Sequence, residues 1–264
     1  MVYGLSFEEI NKKNQPVQKK TSWGFEAEVS KKKSYYLEQF FVKKGGIQPL
    51  HSYQHRDGSL YVQEGKIVLR VGGKNGEKIL VDMKEGDVLD IARGTAHGAF
   101  GAKDSFVYFF AGGSKQNGKA WLETEQDAAK NFSSEKKSAR MAKPGKTTDF
   151  RDKYWGSIET IVSRNYCGKK IVMKKGMQNS LEFHCNKFET YFVHSGNVKV
   201  GVRIGRAENK SISLRKGETF DIIPGLMHMK IAEEDCIVME ISTRDDDSDS
   251  HLVEDGMKYV HKEI

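Results

Sequence analysis

Four residues in the second half of the chain have the types and the spacing of a metal site. Glu182 and His184 lie two apart in SLEFH, Glu189 follows closely, and His228 comes after the Pro224-Gly225 turn. Residues two apart on a strand share one face of a sheet. Imidazole nitrogen and carboxylate oxygen are ligands for zinc, iron, manganese or nickel. The sequence therefore predicts that these four residues hold one divalent metal ion.

Two neighbours of these residues qualify that prediction. Strand alternation places Asn186 on the same face as His184, so Asn186 is the replacement if Glu182 is not a ligand. The same alternation turns Cys185 to the opposite face. We therefore expect Cys185 to pack against other side chains and not to act as a nucleophile.

The first half of the chain repeats this segment with different side chains. At an offset of 131 residues the equivalent pairs are His51 and Glu182, Tyr53 and His184, His55 and Asn186, Gly58 and Glu189, and His97 and His228. His51, His55 and His97 could form a second metal site of three histidines. The favoured interpretation is a histidine-lined pocket or buried polar cluster without metal, because the carboxylate is lost. Tyr53 offers a phenol that suits an organic ligand.

The repeat extends well beyond these residues and indicates two homologous domains. It needs no gap over the pairs Lys43-Lys44-Gly45 and Lys174-Lys175-Gly176, Leu50 and Leu181, Val62 and Val193, Gly65 and Gly196, Gly86 and Gly217, Asp90-Ile91 and Asp221-Ile222, and Gly94 and Gly225. Upstream, Trp23-Gly24 matches Trp155-Gly156 with one residue gained or lost between them.

Short strands separated by glycine turns make up each copy, as in TYFVHSGNVKVGVRI. This pattern predicts an all-β fold of two tandem jelly-roll barrels. The segment 114–153 differs, because KAWLETEQDAAKNF has helical composition and the following residues are polar. We expect domains at 1–113 and 154–264, joined by a partly helical linker at 114–153.

Composition limits the classes of function. The 264 residues are 38% hydrophobic and 30% charged, without an apolar run of the roughly 20 residues that span a bilayer. A net charge of +7 is spread along the chain without a nucleic-acid-binding motif. We therefore expect a cytoplasmic protein that binds neither nucleic acid nor membrane, with its three cysteines, Cys167, Cys185 and Cys236, reduced. His194, His251 and His261 match no motif and are expected on the surface.

The motif residues resemble the cupin family. Cupins carry a first motif G-x5-H-x-H-x(3,4)-E-x6-G and a second motif that ends in a proline-glycine turn and a histidine. The second copy contains LEFHCNKFETYFVHSG and GETFDIIPGLMH. The resemblance implies two cupin barrels, a bicupin, in which only the second keeps the metal motif.

A closer likeness is to the cupin form of mannose-6-phosphate isomerase, the type fused to mannose-1-phosphate guanylyltransferases. It rests on YWGSIETIV, SLEFH and the acidic tail DDDSDSHLVEDG, although Tyr154 replaces the usual proline and Glu182 the usual glutamine. The likeness implies a metal-dependent sugar or sugar-phosphate isomerase, with Glu240 and Lys187 as candidate bases. The family's basic residue near the carboxyl end has no counterpart in SHLVEDG.

Three alternatives stay open at this point. They are a metal-dependent dioxygenase acting on a small carboxylate, a lyase acting on such a compound, and a metallo-cupin that binds a sugar or acid without turnover. In each case the expected partner is a small molecule. The oligomeric state is open, a homodimer included.

Overall fold

A computed structural model describes residues 6–10, 12–72, 77–113, 118–147 and 149–257. The chain forms two compact units. Val17–Thr147 is called the first barrel below, and Met1–Pro16 together with Thr148–Ile264 is called the second barrel. Among the described residues, no helix is long and apolar enough to cross a membrane.

The described elements are mostly short strands. In chain order they are α1 (Phe7–Ile10), β1 (Lys13–Asn14), β2 (Gln18–Thr21), β3 (Gly24–Lys31), β4 (Tyr35–Val42), β5 (His51–Tyr53), β6 (Gly58–Glu64), β7 (Lys66–Gly72), β8 (Lys78–Lys84), β9 (Asp87–Ile91), β10 (His97–Gly101), β11 (Ser105–Gly112), β12 (Lys119–Trp121), α2 (Glu125–Ser138), β13 (Arg140–Ala142), β14 (Gly145–Lys146), β15 (Asp149–Lys153), β16 (Gly156–Ser163), β17 (Tyr166–Met173), β18 (Leu181–His184), β19 (Glu189–Ser195), β20 (Asn197–Arg203), β21 (Lys210–Arg215), β22 (Thr219–Ile222), β23 (Met227–Ala232), β24 (Cys236–Thr243), a 3-10 turn at Asp247–Asp249, and β25 (Ser250–Glu254).

Each barrel consists of two sheets, and the strand orders correspond. The first barrel has the orders β14-β9-β6-β11-β4-β3-β2 and β12-β5-β10-β7-β8-β13. The second has β1-β22-β19-β24-β17-β16-β15 and β21-β20-β23-β18-β25, the latter being the first barrel's order read backwards without a counterpart of β13. Pairing is antiparallel throughout these strands except between β13 and β8. The predicted all-β jelly-roll fold is confirmed.

The repeated glycines mark tight approaches between strands. Gly65 and Gly196 both adopt positive φ, 87° and 71°. A Cβ atom there would lie 2.2 Å from the carbonyl oxygen of Asp104 and 2.3 Å from that of Asp235, respectively. Only glycine fits both the backbone conformation and the space. This explains why the same turn residue recurs in both copies.

Each barrel has its own hydrophobic core, formed by the inward side of its strands. The cores include, in the first barrel, Trp23, Phe40, Val62, Leu69 and Phe109 and, in the second, Trp155, Tyr191, Val200, Phe220 and Leu226. Complete burial of such side chains contributes roughly 1.5–3 kcal/mol each relative to exposure. Each barrel therefore holds its strands in place from within its own unit.

Most of the segment expected to be a linker, residues 118–147, forms part of the first barrel, whereas β15 (Asp149–Lys153) pairs with β16 of the second barrel. Strand β12 pairs with β5, β13 with β8 and β14 with β9. Helix α2 begins after the N-cap Thr124. The buried guanidinium of Arg70 forms ion pairs with Glu123, just before the helix, and with Glu135 within it. The unit boundaries thus differ from the predicted 113 and 154. An edge strand leaves backbone groups without hydrogen bonds. Strands β12, β13 and β14 of this segment cover three such edges, those of β5, β8 and β9.

Candidate metal centre

Strands β18 and β23 bring the predicted ligands together. Glu182 lies directly opposite His228 in the antiparallel register. One ligand atom each from Glu182, His184 and His228 lies within 4.8 Å of the others. Both histidines are buried, and Glu182 is half-buried. The three side chains could therefore hold a metal ion.

Backbone hydrogen bonds orient both imidazole rings. His184 Nδ1 lies 3.0 Å from the carbonyl oxygen of Asp249, and His228 Nδ1 lies 2.9 Å from that of Leu226. A ring that donates Nδ1–H to a carbonyl presents the lone pair of Nε2. His228 Nε2 is buried without a hydrogen-bond partner among the described residues. This donor set fits a divalent metal.

Glu189 faces both imidazoles. Its Oε1 lies 3.5 Å from His184 Nε2, and its Oε2 lies 3.3 Å from His228 Nε2. Lys187 Nζ lies 2.6 Å from Oε1, and the Tyr191 hydroxyl donates to Oε2 at 2.6 Å. Burial alone would raise the pKa of Glu189, but Lys187 and His228 outweigh it and hold that pKa well below its usual range. Glu189 is thus an anion beside the histidines.

Lys187 is a cation fixed among carboxylates. Its Nζ lies 2.8 Å from Asp245 Oδ1 and 3.5 Å from Glu240 Oε1, besides its contact with Glu189. Burial would lower the pKa of Lys187, but these three carboxylates raise it above its usual range. A lysine held in this way stays protonated, so it cannot be the general base considered above. Glu240 lines the same cavity and remains a candidate base.

A cavity of about 250 Å³ opens beside these residues within the second barrel. It is smaller than the roughly 300–1,000 Å³ typical of pockets for drug-sized ligands, so it suits a small molecule. Its lining includes Trp155, Ile158, Lys169, Glu182, His184, Lys187, Glu189, Lys230, Glu240, Asp245 and Ser250.

Lys230 is the residue that sequence reasoning missed. It lies on β23 two residues after His228, so strand alternation is the signal that could have placed it on the ligand face. Lys230 is 4% exposed, and its Nζ lies 2.9 Å from the Tyr191 hydroxyl. In the described part of the chain Lys230 forms no close ion pair, although it interacts electrostatically with the Glu182 carboxylate.

Strand alternation ends earlier than predicted. Because β18 ends at His184, Asn186 does not share its face; it is exposed, and its side-chain amide contacts Asp249 instead. Cys185 is exposed as well, so its predicted packing role is wrong. Asn186 is not a replacement ligand in this arrangement.

The three unmatched histidines have different outcomes. His194 is 2% exposed, so its predicted surface position is wrong; β19 lies between β22 and β24 and is buried on both faces. His251 is exposed, as predicted. His261 lies outside the described residues.

The first barrel brings only two of its three candidate histidines together. The rings of His51 and His97 are buried with centroids 4.4 Å apart. Burial lowers the pKa of both, that of His97 to about 4. Strand β5 ends at Tyr53, so His55 falls in the following turn and is exposed. The three histidines do not form a candidate metal group among the described residues, although Nε2 of both His51 and His97 is buried there without a hydrogen-bond partner.

Comparisons with known proteins agree with the fold. No family model and no curated protein matches the chain. A solved structure of oxalate decarboxylase matches with a TM-score of 0.69 and 15% identity over 92% of this chain and 79% of that one. Oxalate decarboxylase from Bacillus subtilis at pH 4.6 gives 0.66 and 16% over 89% and 76%. A structure of the same enzyme studied for its Mn(II) centres gives 0.66 and 16% over 89% and 78%. These likenesses do not bear on the mannose-6-phosphate isomerase resemblance. They show that the chain has the fold of a bicupin.

Proposed function

We propose that Glu182, His184, Glu189 and His228 hold one divalent metal ion and that the second barrel is a metal-dependent lyase for a small carboxylate. The observation that carries this proposal is Lys230, a buried ammonium group that lines the cavity without a close ion pair in the described part of the chain.

A buried ammonium group loses its hydration, and this cost is normally offset by a counter-ion. Lys230 Nζ donates a hydrogen bond to the neutral Tyr191 hydroxyl. It also interacts electrostatically with the Glu182 carboxylate, whose charge the proposed metal ion would take up. Burial raises the pKa of that phenol well above its usual range, so Tyr191 is not the missing anion. An anionic ligand in the cavity would supply the counter-charge.

The proposed ligands Glu182, His184 and Glu189 line the same cavity as this cation. When bound, the metal ion would act as a Lewis acid that polarises an oxygen of the ligand. Lys230 would bind a carboxylate oxygen of the same small molecule and orient it toward the metal ligands. Lys187 would hold Glu189 in place by its 2.6 Å contact. Glu240 is the group we assign to proton transfer.

The structural neighbours support the carboxylate class. They are named as decarboxylases of oxalate, and one was studied for its Mn(II) centres. Manganese is accordingly the first metal to load, and oxalate is the first compound to include in a substrate panel. The panel extends to other small mono- and dicarboxylates, because the volume and lining of the cavity do not single out one of them.

The test is Lys230→Met in manganese-loaded protein. A charge-assisted hydrogen bond contributes about 1.5–3 kcal/mol, so we expect the KM or Kd for the accepted carboxylate to rise by roughly 10- to 100-fold. Lys199→Met is the matched control, since Lys199 lies on the neighbouring strand β20, is 38% exposed and pairs with Glu233. Unchanged carboxylate affinity in Lys230→Met would contradict the proposal.

A sugar-phosphate isomerase is the second candidate, favoured by one observation. The acidic tail that carries that resemblance lines the cavity through Asp245, Asp246, Asp247 and Ser250, and the Ser250 hydroxyl donates to Glu182 Oε2 at 2.8 Å. Aldose and ketose phosphates therefore belong in the panel. Oxygen consumption would identify a dioxygenase, and binding without turnover would identify a non-catalytic metallo-cupin.

A further inference from the structure

A second group of metal-binding side chains lies on the surface of the second barrel. Cys185 follows β18, Asp249 ends the 3-10 turn, and His251 lies on β25. One ligand atom from each of the three lies within 4.8 Å of the others. Cys185 and His251 are exposed, and Asp249 is half-buried. We call these three residues the outer cluster.

The outer cluster is built on a fixed frame. The Asp249 carboxylate accepts the backbone N–H of Cys185 at 2.8 Å, of Asn186 at 3.0 Å and of Lys187 at 3.0 Å. These three hydrogen bonds fix the position of the Asp249 carboxylate beside Cys185.

His251 is held from the other side. It lies opposite Phe183 in the register of β18 and β25, and the two rings stack with centroids 4.9 Å apart. The three donor groups therefore need little rearrangement to meet one ion, which keeps the entropic cost of binding low.

We propose that the outer cluster is a binding site for a borderline-soft divalent cation such as Zn²⁺. Thiolate sulfur, imidazole nitrogen and carboxylate oxygen are the three donor types that zinc accepts in proteins. Three protein ligands leave the fourth tetrahedral position for water. Binding forms a bond from the metal to Cys185 sulfur, and the thiol proton passes to the solvent without any change of oxidation state.

The outer cluster is separate from the metal centre, although His184 and Cys185 are consecutive. His184 Nε2 faces Glu189, whereas the Cys185 side chain is exposed. Hard oxygen donors favour manganese, whereas a thiolate selects softer metals. The outer cluster thus takes a different class of ion, and its assignment does not depend on the proposed lyase activity.

Cobalt is the probe for the test, because Co²⁺ occupies zinc sites and absorbs in the near ultraviolet only when a thiolate binds it. We expect titration of metal-free protein with Co²⁺ to give this thiolate-to-cobalt absorption and later addition of Zn²⁺ to remove it. Cys167 and Cys236 are buried, so Cys185 is the thiol available in the folded chain. Cys185→Ser should abolish the absorption, and His251→Ala should weaken cobalt binding at least tenfold.

The matched control is His228→Ala, which removes a ligand of the metal centre that hydrogen-bonds to Leu226 and not to the outer cluster, and it should keep the thiolate-to-cobalt absorption. Absence of that absorption in the wild type, or its persistence in Cys185→Ser, would overturn the outer site. Unchanged cobalt affinity in His251→Ala would overturn the three-ligand arrangement. Circular dichroism checks that each variant is folded.

Discussion

The two barrels share one scaffold but differ at the centre. Where the second barrel has Glu189 and Glu240, the equivalent positions of the first carry Gly58 and Phe109. A Cβ atom at Gly58 would lie only 2.5 Å from Cζ of the Phe109 ring. A side chain at position 58 and this ring cannot occupy the same space. The carbonyl oxygen of Phe110 would also lie 2.5 Å from that Cβ, so both the ring and the backbone exclude a side chain at position 58.

Aromatic packing takes the place of the metal site in the first barrel. The ring of Tyr53 stacks on that of Phe109 at 4.4 Å with an interplanar angle of 8°. The Tyr53 hydroxyl donates to Glu38, which also lies 2.7 Å from Lys119 Nζ. Tyr53 thus donates its hydroxyl to a buried carboxylate of its own barrel.

The strongest test of this difference is metal stoichiometry. We expect His184→Ala with His228→Ala to remove the ion of the metal centre, because these two imidazoles supply half of the proposed ligands. The equivalent double variant His51→Ala with His97→Ala should keep it, since no described carboxylate forms a candidate metal group with these two histidines. The measurement is the manganese content of each variant after loading and desalting, determined by elemental analysis. Equal losses in both variants would mean that both barrels bind metal.

The second test concerns the core that replaces the metal site. Phe109 is completely buried, so Phe109→Ala should lower the free energy of unfolding by about 3–5 kcal/mol. Met141→Ala in the same barrel is the control, because Met141 is 56% exposed and should change stability by no more than about 0.5 kcal/mol. Urea denaturation followed by fluorescence gives both values. A small loss for Phe109→Ala would show that the ring does not fill the barrel.

The third test uses the neutral histidines of the first barrel. Burial lowers the pKa of His97 from 6.5 to about 4. Between these two values the unfolded state binds a proton that the folded state does not, so stability is full above pH 6.5 and falls as the pH drops toward 4. The contribution of His97 is on the order of 3 kcal/mol, since one pKa unit is about 1.36 kcal/mol.

His97→Gln should make this pH dependence shallower without removing it, because burial also lowers the pKa of His51. The measurement is the urea midpoint at a series of pH values between 4 and 7. Identical slopes for the wild type and His97→Gln would show that His97 is not held neutral in the folded protein.

The barrel architecture could be predicted because both of its signals can be read directly from the sequence. Strand periodicity is visible within a few residues, and the repeat is visible when the two halves of the chain are aligned. Positive φ and a close carbonyl oxygen require glycine at both Gly65 and Gly196. Their spacing of 131 residues is therefore one of the signals of the duplication. Unit boundaries could not be read in the same way. Strand β1 pairs with β22 across most of the chain, and no local signal marks such a partner.

The grouping of the candidate ligands could be predicted in part. His184 and His228 carry recognisable spacing, and the structure brings them together with Glu182. The prediction from strand alternation was wrong beyond His184, because β18 ends there. Cys185 and Asn186 were therefore assigned to the wrong environments. The protonation of Lys187 depends on three carboxylates from separate segments, so the sequence could offer it only as a candidate base.

The smallest expected effect tests whether the scaffolds are equivalent. Gly45 and Gly176 both have φ of 77°, and no atom lies within 4 Å of a Cβ built at either one. Their N–H groups donate to equivalent carbonyls, of Gly101 at 2.8 Å and of Ala232 at 2.9 Å. Alanine at either position therefore meets no neighbour and incurs only the left-handed backbone cost, roughly 1–2 kcal/mol.

We expect Gly45→Ala and Gly176→Ala to lower the free energy of unfolding by the same amount within error. Gly45→Asn and Gly176→Asn are the controls and should cost less, because asparagine tolerates left-handed backbone better than alanine. Denaturation curves at pH 7, fitted for each barrel's transition, give the four values. A clear cost in one barrel and none in the other would show that the shared strand order conceals different turn geometry, and the barrels would then differ in scaffold as well as in their centres.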